Sequence, residues 1–272
     1  MRVATCGLTT LDLIQYVDKL PGPNEKTQAN SARLEFGGPA ANAAFTAHAL
    51  GAETCLVTAL GNGPLSLITA RQLREHGITV IDAATGSWDV PMSSVAVTSQ
   101  GRAVISVNAG IPPALRLTTH MDGLDALLVD GHHLGLCLAT AREARALGVP
   151  VLLDGGSWKP GLDRLMPLLD AAVVSADFTG PLPDVPVAVT RGQESITYRW
   201  RRGSGEIEVA PVPDPDTLGA GDVFHGAWLV HVARHGLDDF PAGLAFAAKI
   251  ASESCRWPGA HEWARHFAGA QR

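Results

Sequence analysis

A glycine-rich heptapeptide near the carboxyl end of the chain carries the residue types that phosphoryl transfer requires. It reads Asp-Thr-Leu-Gly-Ala-Gly-Asp over residues 216–222 and leads into a largely apolar stretch typical of a buried helix. Gly219, Ala220 and Gly221 have almost no side chain, so the first free N–H groups of that helix can approach an anion closely. Asp222 can then accept a proton from a hydroxyl group that attacks the bound phosphoryl group. The alternative interpretation is an ordinary strand-to-helix turn with a capping aspartate.

A second motif, Gly-Gly-Pro-Ala-Ala-Asn, occupies residues 37–42 and is followed by Gly51. The two motifs resemble the amino- and carboxyl-terminal signatures of the ribokinase-like (pfkB) carbohydrate kinases, in the expected order and at roughly the expected separation. The chain is therefore identified as a member of this family, similar to its ketohexokinase- and fructokinase-like members. The resemblance implies a three-layer α/β/α fold with a mostly parallel central sheet and a small β lid.

The hydrophobic pattern agrees with this fold class. From residue 53 onward, short apolar runs alternate with helical patterns, which is the order expected of βαβ units and a parallel sheet. We predict one kinase domain over residues 1–272, with lid strands inserted at about residues 12–36 and 90–109. Two β-hairpins are predicted, the first from residues 92–98 and 102–108, the second from residues 195–201 and 206–209 around Gly203-Ser204-Gly205.

The resemblance assigns four residues to an acceptor with sugar-like hydroxyl groups: Asp12, Gly37, Gly38 and Asn42. A carboxylate accepts two hydroxyl hydrogen bonds at once, and an amide both donates and accepts, which suits a sugar. The glycines allow the backbone to approach the substrate. Asp12 as an exposed loop acid and Asn42 as a helix cap are the alternative interpretations.

Nucleotide and metal residues are also implied by the resemblance. Thr190, Gly192 and Gly259 are expected to contact ATP, and Asp216 is expected to help hold a monovalent cation such as K⁺. Many family members place Mg²⁺ with an Asn-x-x-Glu motif, but this chain has Ser-Ala-Asp-Phe at that point, so Asp177 is the candidate substitute. Two further aspartates at predicted strand ends support Mg²⁺ through water or cap the following helices: Asp130 and Asp154.

Composition excludes several other classes. The chain has 272 residues and a formal net charge of -6, and its pI near 5.9 argues against nucleic-acid binding. Four cysteines are scattered without a Cys-x-x-Cys pair, as expected of free thiols in a reducing compartment. The chain reads directly into a strand without a signal-peptide pattern, and no apolar run reaches membrane-spanning length. We predict a cytoplasmic protein with no membrane partner, and the resemblance implies a homodimer through the lid.

The leading hypothesis is an ATP- and Mg²⁺-dependent kinase that phosphorylates a primary hydroxyl of a small sugar or sugar derivative. Asp222 is the expected general base, and the backbone of residues 219–222 is the expected anion hole. A nucleoside kinase of the same family is one alternative. A non-catalytic sugar- or nucleotide-binding pseudokinase is another, which the missing Asn-x-x-Glu motif favours and the intact Gly-Ala-Gly-Asp opposes.

Overall fold

The computed structural model describes residues 1–107, 114–116 and 121–270. The end of the predicted lid insertion, residues 108 and 109, lies outside the described residues. The strands are β1 Arg2–Cys6, β2 Thr10–Tyr16, β3 Ser31–Gly37, β4 Glu53–Thr58, β5 Thr79–Asp82, β6 Ala84–Thr85, β7 Met92–Thr98, β8 Gly101–Ser106, β9 Ala114–Leu115, β10 Ala126–Val129, β11 Val151–Gly155, β12 Ala171–Ser175, β13 Val187–Arg191, β14 Glu194–Trp200 and β15 Gly203–Ile207. The α-helices are α1 Pro39–Ala49, α2 Pro64–Glu75, α3 Leu134–Ala146, α4 Ala220–His235, α5 Phe240–Ser254 and α6 Trp263–Ala270.

A nine-stranded sheet forms the centre of the molecule, in the order β15-β14-β13-β12-β11-β10-β1-β4-β5. The strands from β5 to β13 in that order pair in parallel, whereas β14 and β15 add antiparallel strands at one edge. The predicted mostly parallel sheet is confirmed. Parallel strands need crossover helices, which cover both faces of such a sheet.

Two hydrophobic cores lie on opposite faces of this sheet. Successive residues of β1 alternate between them, since Val3 belongs to the core under α1, α4 and α5, and Ala4 belongs to the core under α3. Leu127 and Leu128 of β10 alternate in the same way. Helices therefore cover both faces, and the predicted three-layer α/β/α architecture is confirmed.

A separate four-stranded sheet, in the order β3-β2-β7-β8, is built from the two predicted insertions. Its β7–β8 pair is antiparallel, as predicted for the first hairpin, but β8 begins at Gly101, opposite Thr98, and ends at Ser106. Side chains alternate between its two faces. One face carries Asp12, whose register partners on the neighbouring strands are Glu35 and Ser93. We call this four-stranded sheet, β3-β2-β7-β8, the small sheet.

The second predicted hairpin is confirmed as a pair, but its bounds were wrong. Strand β15 begins at Gly203, opposite Trp200, so the turn lies at residues 201–202 and the glycines belong to the strand. The reason is space for an aromatic ring, because a Cβ atom on Gly205 would lie 2.6 Å from the Tyr198 hydroxyl oxygen. Glycine here accommodates a cross-strand neighbour and does not form the turn.

The bounds of helix α3 were not predicted from the sequence. Its first turn lacks the usual Ser, Thr, Asp or Asn cap, and His133 precedes it in a left-handed conformation with φ of 49°. The cue that normally marks a helix start is therefore missing. Among the described residues, no helix is long and apolar enough to cross a membrane.

Candidate active site

The turn before α4 has the conformation that its glycines allow. Gly219 adopts a left-handed conformation with φ of 75° and ψ of 3°, and α4 begins at the next residue. A Cβ atom on Gly219 would lie 2.6 Å from Cβ of Ala260, so the turn also packs closely against the segment before α6. Gly221, by contrast, has no neighbouring atom within 4 Å of such a Cβ. The N–H of Ala220 donates to the carbonyl oxygen of Thr217 at 3.3 Å, so the N–H groups of Gly221 and Asp222 are the candidates for an anion at this helix start.

Replacing Gly219 with alanine is expected to lower the free energy of unfolding. The left-handed backbone alone costs an L-residue about 1–2 kcal/mol, and the contact with Ala260 adds to that cost. Gly221→Ala is the matched control, because it adds the same methyl group in open space inside a helix, where alanine is favoured. Denaturant unfolding of both variants checks this prediction. Equal stability of the two variants would contradict it.

Asp222 lies in the wall that separates two cavities. The first, about 330 Å³, lies beneath the small sheet and is called the lid cavity. The second, about 570 Å³, lies against the β13–β14 hairpin and is called the hairpin cavity. Six residues line both cavities: Pro39, Arg102, Thr217, Ala220, Gly221 and Asp222. The turn and its aspartate thus stand where a ligand in one cavity would meet a ligand in the other.

Asn42 holds the carboxyl group of Asp222. Asn42 is buried in the first turn of α1, and its Nδ2 donates to Oδ2 of Asp222 at 2.7 Å. Close packing of α1 on α4 makes this contact possible, since a Cβ atom on Gly226 would lie 2.5 Å from the carbonyl oxygen of Ala43. The predicted interpretation of Asn42 as a helix cap does not hold, because α1 has no side-chain cap hydrogen bond.

The environment of Asp222 favours its protonated form. Burial and, to a smaller extent, the charge of Asp154 raise the pKa of Asp222 to about 7, while the hydrogen bond from Asn42 opposes the shift. A carboxyl group with a pKa near 7 exchanges a proton readily at neutral pH. This property is typical of a general base or acid.

The lid cavity brings together three of the four predicted acceptor residues: Asp12, Gly38 and Asn42. Asp12 is held by the hydroxyl of Thr10, which donates to Oδ1 at 2.7 Å. Burial raises the pKa of Asp12, although hydrogen bonds from Thr10 and Ser93 oppose the shift. Asp12 is therefore part of the cavity wall and is not an exposed loop acid.

Gly37 is not among the residues that line the lid cavity. A Cβ atom on Gly37 would lie 2.0 Å from Oδ2 of Asp12, so this glycine makes room for the aspartate. Gly38 does line the cavity, and its φ of 93° brings it against the backbone of Leu8. The first glycine therefore positions an acidic side chain, and the second shapes the cavity itself.

The hairpin cavity contains Thr190 and Gly192, two of the three residues predicted to contact ATP. Its walls combine these with apolar side chains from β14, the segment before α4 and helices α4 and α5: Ile196, Val209, Val212, Phe224, Ala248 and Ala251. An apolar wall together with a helix start, to which Gly221 and Asp222 belong, suits a ligand with a flat base and a phosphate chain. Its volume lies in the usual range for ligand sites, about 300–1,000 Å³.

Gly259 and Asp216 bind one another, and neither is among the residues that line the hairpin cavity. The Gly259 N–H donates to Oδ2 of Asp216 at 2.9 Å, and the Leu218 N–H donates to Oδ1 at 2.9 Å. The hydroxyl of Tyr16 on the small sheet donates to Oδ2 at 3.2 Å. Asp216 thus ties the turn to the small sheet and to the loop before α6, and its role toward a cation stays a prediction.

Asp177 lies apart from both cavities. Its side chain is exposed, and its N–H donates to Oγ of Ser175 at 3.1 Å. Within the described residues, no group of three or more His, Cys, Asp or Glu side chains could hold a metal ion. Mg²⁺ typically keeps several waters and binds one or two carboxylates plus phosphate oxygens. The protein therefore offers no preassembled Mg²⁺ cage in these residues, and the carboxylate at the hairpin cavity besides Asp222 is Asp154.

Asp130 follows strand β10, whereas Asp154 lies within strand β11, and the two aspartates have different surroundings. Asp130 Oδ2 accepts hydrogen bonds from the N–H groups of Leu8 and Ala40, at 2.8 and 3.2 Å, so it fixes the start of α1. Asp154 is buried, and its Oδ2 lies 3.4 Å from Nδ1 of His225. Burial raises the pKa of Asp154, and the charge of His225 opposes the shift. Of the two, only Asp154 lines the hairpin cavity.

Several side chains of the site were not predicted from the sequence. Glu35, Ser93, Arg102 and His261 line the lid cavity. Glu35 and Ser93 share a face of the small sheet with Asp12, so period-two alternation on a correctly paired register would have identified them. His261 has no local pattern in the sequence that marks it, because a loop carries it into the site from the carboxyl end.

Several solved structures have an architecture similar to that of this chain. Its structure is similar to a putative ribokinase from Agrobacterium tumefaciens, with a TM-score of 0.82, 22% identity and coverage of 100% of this chain and 99% of that one. It is also similar to a Burkholderia thailandensis nucleoside kinase in complex with inosine. The TM-score is 0.72, the identity is 20%, and the match covers 96% of this chain and 93% of that one. Arabidopsis thaliana ribokinase complexed with ribose and ATP gives 0.71, with 18% identity and 97% coverage of both chains. The fold is therefore ribokinase-like.

Sequence comparison agrees with the fold. The chain is 24% identical over 274 residues to a ribokinase of Bacillus subtilis (strain 168), covering 93% of this chain and 92% of the relative. It is 27% identical over 298 residues to ketohexokinase of Mus musculus, covering 95% of this chain and 97% of the relative. Residues 1–107 match the family model described as pfkB family carbohydrate kinase. The two relatives match nearly the whole chain, and the family model matches its amino-terminal part, which contains the first of the two motifs.

Proposed function

We propose that the protein transfers the γ-phosphoryl group of ATP to a primary hydroxyl of a small sugar or sugar derivative. One observation carries the proposal: Asp222 stands in the wall shared by two ligand-sized cavities, at a helix start that lines both of them. In this proposal the lid cavity binds the acceptor and the hairpin cavity binds the nucleotide. The lid cavity, at about 330 Å³, favours an acceptor of roughly monosaccharide size.

The residues of the chain have separate tasks in this mechanism. Asp12 and Asn42 hold acceptor hydroxyls, and Asp222 accepts the proton of the hydroxyl that attacks. The N–H groups of residues 219–222 stabilise the negative charge that develops on the transferred phosphoryl oxygens. ATP, when bound, supplies that phosphoryl group. Catalysis then rests on position and electrostatics, as is usual for phosphoryl transfer.

The charges of the lid cavity favour an uncharged acceptor. Three carboxyl groups line it, those of Asp12, Glu35 and Asp222, against one arginine, Arg102. Arg102 donates from Nη1 to the hydroxyl of Thr217 at 2.7 Å, so part of its hydrogen-bonding capacity is already used. An acceptor that already carries a phosphate group would bring that negative charge close to these carboxylates, which is unfavourable. Neutral polyols and sugars are therefore the proposed substrates.

An assay of ADP release over a panel of ketoses, aldoses, sugar phosphates and nucleosides tests this proposal. Turnover with a neutral sugar, and little with sugar phosphates, is the expected result. Preference for a nucleoside would assign the protein to the nucleoside kinases of the family. Absence of turnover with every acceptor, in a protein that still binds nucleotide, would favour the pseudokinase hypothesis and overturn the proposed activity.

We also propose that the small sheet forms a homodimer contact. Five apolar side chains on or beside it are exposed: Leu34, Met92, Val104, Ile105 and Val107. Ile105 is 77% exposed on strand β8, which forms one edge of the small sheet. An exposed apolar edge strand tends to pair or pack with another chain. A second copy of the protein would cover this surface.

Ile105→Lys is expected to convert the dimer to a monomer, because it places a charge in the proposed contact. Light scattering after size-exclusion chromatography measures the mass of both forms. Leu67→Lys is the matched control, since Leu67 is 65% exposed on α2, outside the small sheet. A monomeric parent protein, or an unchanged mass for Ile105→Lys, would contradict the proposed contact.

A further inference from the structure

A chain of hydrogen bonds links Asp222 to a histidine from the far end of the sequence. Asn42 Nδ2 donates to Oδ2 of Asp222 at 2.7 Å, and Asn42 Oδ1 lies 2.9 Å from Nε2 of His261. The chain joins α4, α1 and the loop before α6. His261 therefore contacts the proposed general base only through the amide of Asn42.

The chemistry of these atoms determines where the hydrogens lie. The Oδ1 atom of an amide only accepts, so Nε2 of His261 must carry a hydrogen in this arrangement. Rotating the amide by 180° would turn its oxygen toward the Asp222 carboxylate and its NH₂ group toward the histidine N–H. Two acceptors would then face each other, as would two donors. A histidine that donates from Nε2 therefore selects one orientation of the Asn42 amide.

The ring of His261 is fixed by its surroundings. Phe36 stacks on it with ring centroids 4.1 Å apart and an angle of 27°, and Phe45 contacts it edge-on at 4.6 Å. Its Nδ1 lies 3.4 Å from Oε2 of Glu35, and its side chain is only 10% exposed. Burial lowers the pKa of His261, while Glu35 opposes the shift. The ring is thus held in one place by groups that are independent of Asn42.

We propose that His261 is a positioning residue for phosphoryl transfer, which locks the Asn42 amide so that its N–H group donates to Asp222. The inference rests on the proposed function for its role in catalysis, but the lock itself is a property of the folded protein. A hydrogen bond to a carboxylate favours its charged form. His261 therefore helps to keep Asp222 ionised, and ready to accept a proton, inside a buried site that favours protonation.

Other titratable groups act on the same two side chains. Asp154, His225 and Asp130 influence the carboxyl group of Asp222 through their charges. Glu35, His76 and Asp12 influence His261 in the same way. A test must keep all six side chains and compare variants of His261 that differ in the donor at Nε2.

Two substitutions of His261 form such a pair, and both remove the Nδ1 contact with Glu35. His261→Gln keeps an N–H donor at about the position of Nε2, whereas His261→Leu keeps an apolar side chain of comparable size without a donor. The readout is the titration of the Asp222 carboxyl carbon, followed by ¹³C NMR in the parent protein and in both variants. This readout does not depend on activity, so the lock can be tested even if the proposed function fails.

We expect His261→Leu to shift the Asp222 titration upward by about one pH unit, the size of one hydrogen bond. His261→Gln is expected to titrate close to the parent. If the protein is an active kinase, the acidic limb of kcat/KM should move with the titration in His261→Leu. An unchanged titration in His261→Leu, or an equal shift in both variants, would overturn the proposal.

A second measurement covers the case in which His261→Leu does not fold. The ring ¹⁵N shifts of His261 in the parent protein report which nitrogen carries a hydrogen. A hydrogen on Nε2 is the expected result. A neutral ring protonated only on Nδ1 would overturn the proposal without any variant. Inactivity over the whole acceptor panel would contradict the proposed function alone, provided that the titrations behave as expected.

Discussion

Asp222→Asn is expected to lower kcat by about 10²- to 10⁴-fold, the usual contribution of a general base. Asparagine cannot accept the hydroxyl proton, but it has nearly the shape of the aspartate and leaves the cavity walls in place. Nucleotide affinity should therefore change little, because the turn N–H groups and the hairpin cavity are retained. Steady-state kinetics and nucleotide titration measure the two quantities separately. A variant that turns over at the rate of the parent would refute the role of Asp222.

Stability is the control for this variant. Burial raises the pKa of Asp222 to about 7, above its ordinary value of 3.8. Because its pKa is raised in the folded state, Asp222 contributes to the free energy of unfolding fully below about pH 4. This contribution is lost as the pH rises through 7. Asparagine does not titrate, so the variant should be at least as stable as the parent at pH 8. Loss of turnover at that pH would then not reflect unfolding.

Asp12→Ala is expected to lower kcat/KM for the acceptor by about 10- to 150-fold. Hydrogen bonds to a charged group contribute about 1.5–3 kcal/mol, and the proposed acceptor loses such bonds when the carboxylate is removed. KM for ATP should stay unchanged, because Asp12 lines the lid cavity and is not among the residues that line the hairpin cavity. Initial rates with varied acceptor at saturating ATP, and the reverse, separate the two effects.

Asp163→Ala is the matched control for this second variant, since Asp163 is an exposed aspartate in the short helix Leu162–Arg164. It should leave both kinetic constants unchanged. If Asp12→Ala kept the acceptor kcat/KM of the parent, the lid cavity would not be the acceptor site. If instead KM for ATP rose alone, the two cavities would have been assigned in the wrong order.

Local motifs predicted the parts of the site that depend on backbone shape. The glycine-rich turn before α4 and the position of Asp222 in the first turn of that helix follow from residue types at fixed spacing. The central sheet was predictable for a similar reason, because buried parallel strands appear as continuous apolar runs. In both cases the information lies within a few neighbouring residues.

Features that depend on tertiary contacts were not predictable in this way. Gly37 carries part of a motif, yet it serves to admit the Asp12 carboxylate, which only the pairing of β2 with β3 reveals. Gly259 binds Asp216 and does not line the hairpin cavity. His261 contacts Asn42 because two distant segments pack together. Single-sequence patterns contain no record of such pairings.

The hydrogen bond from Asn42 to Asp222 joins residues 180 positions apart, and Asn42 meets His261 across 219 positions. A ribosome therefore completes α1 long before the helix that packs on it exists. Contacts of such large sequence separation form slowly, since loop closure must precede them. The alanine-rich face of α1, buried against α4 in the finished protein, stays uncovered during that interval. We expect nascent or truncated chains to aggregate through this face and to depend on chaperones until α4 docks.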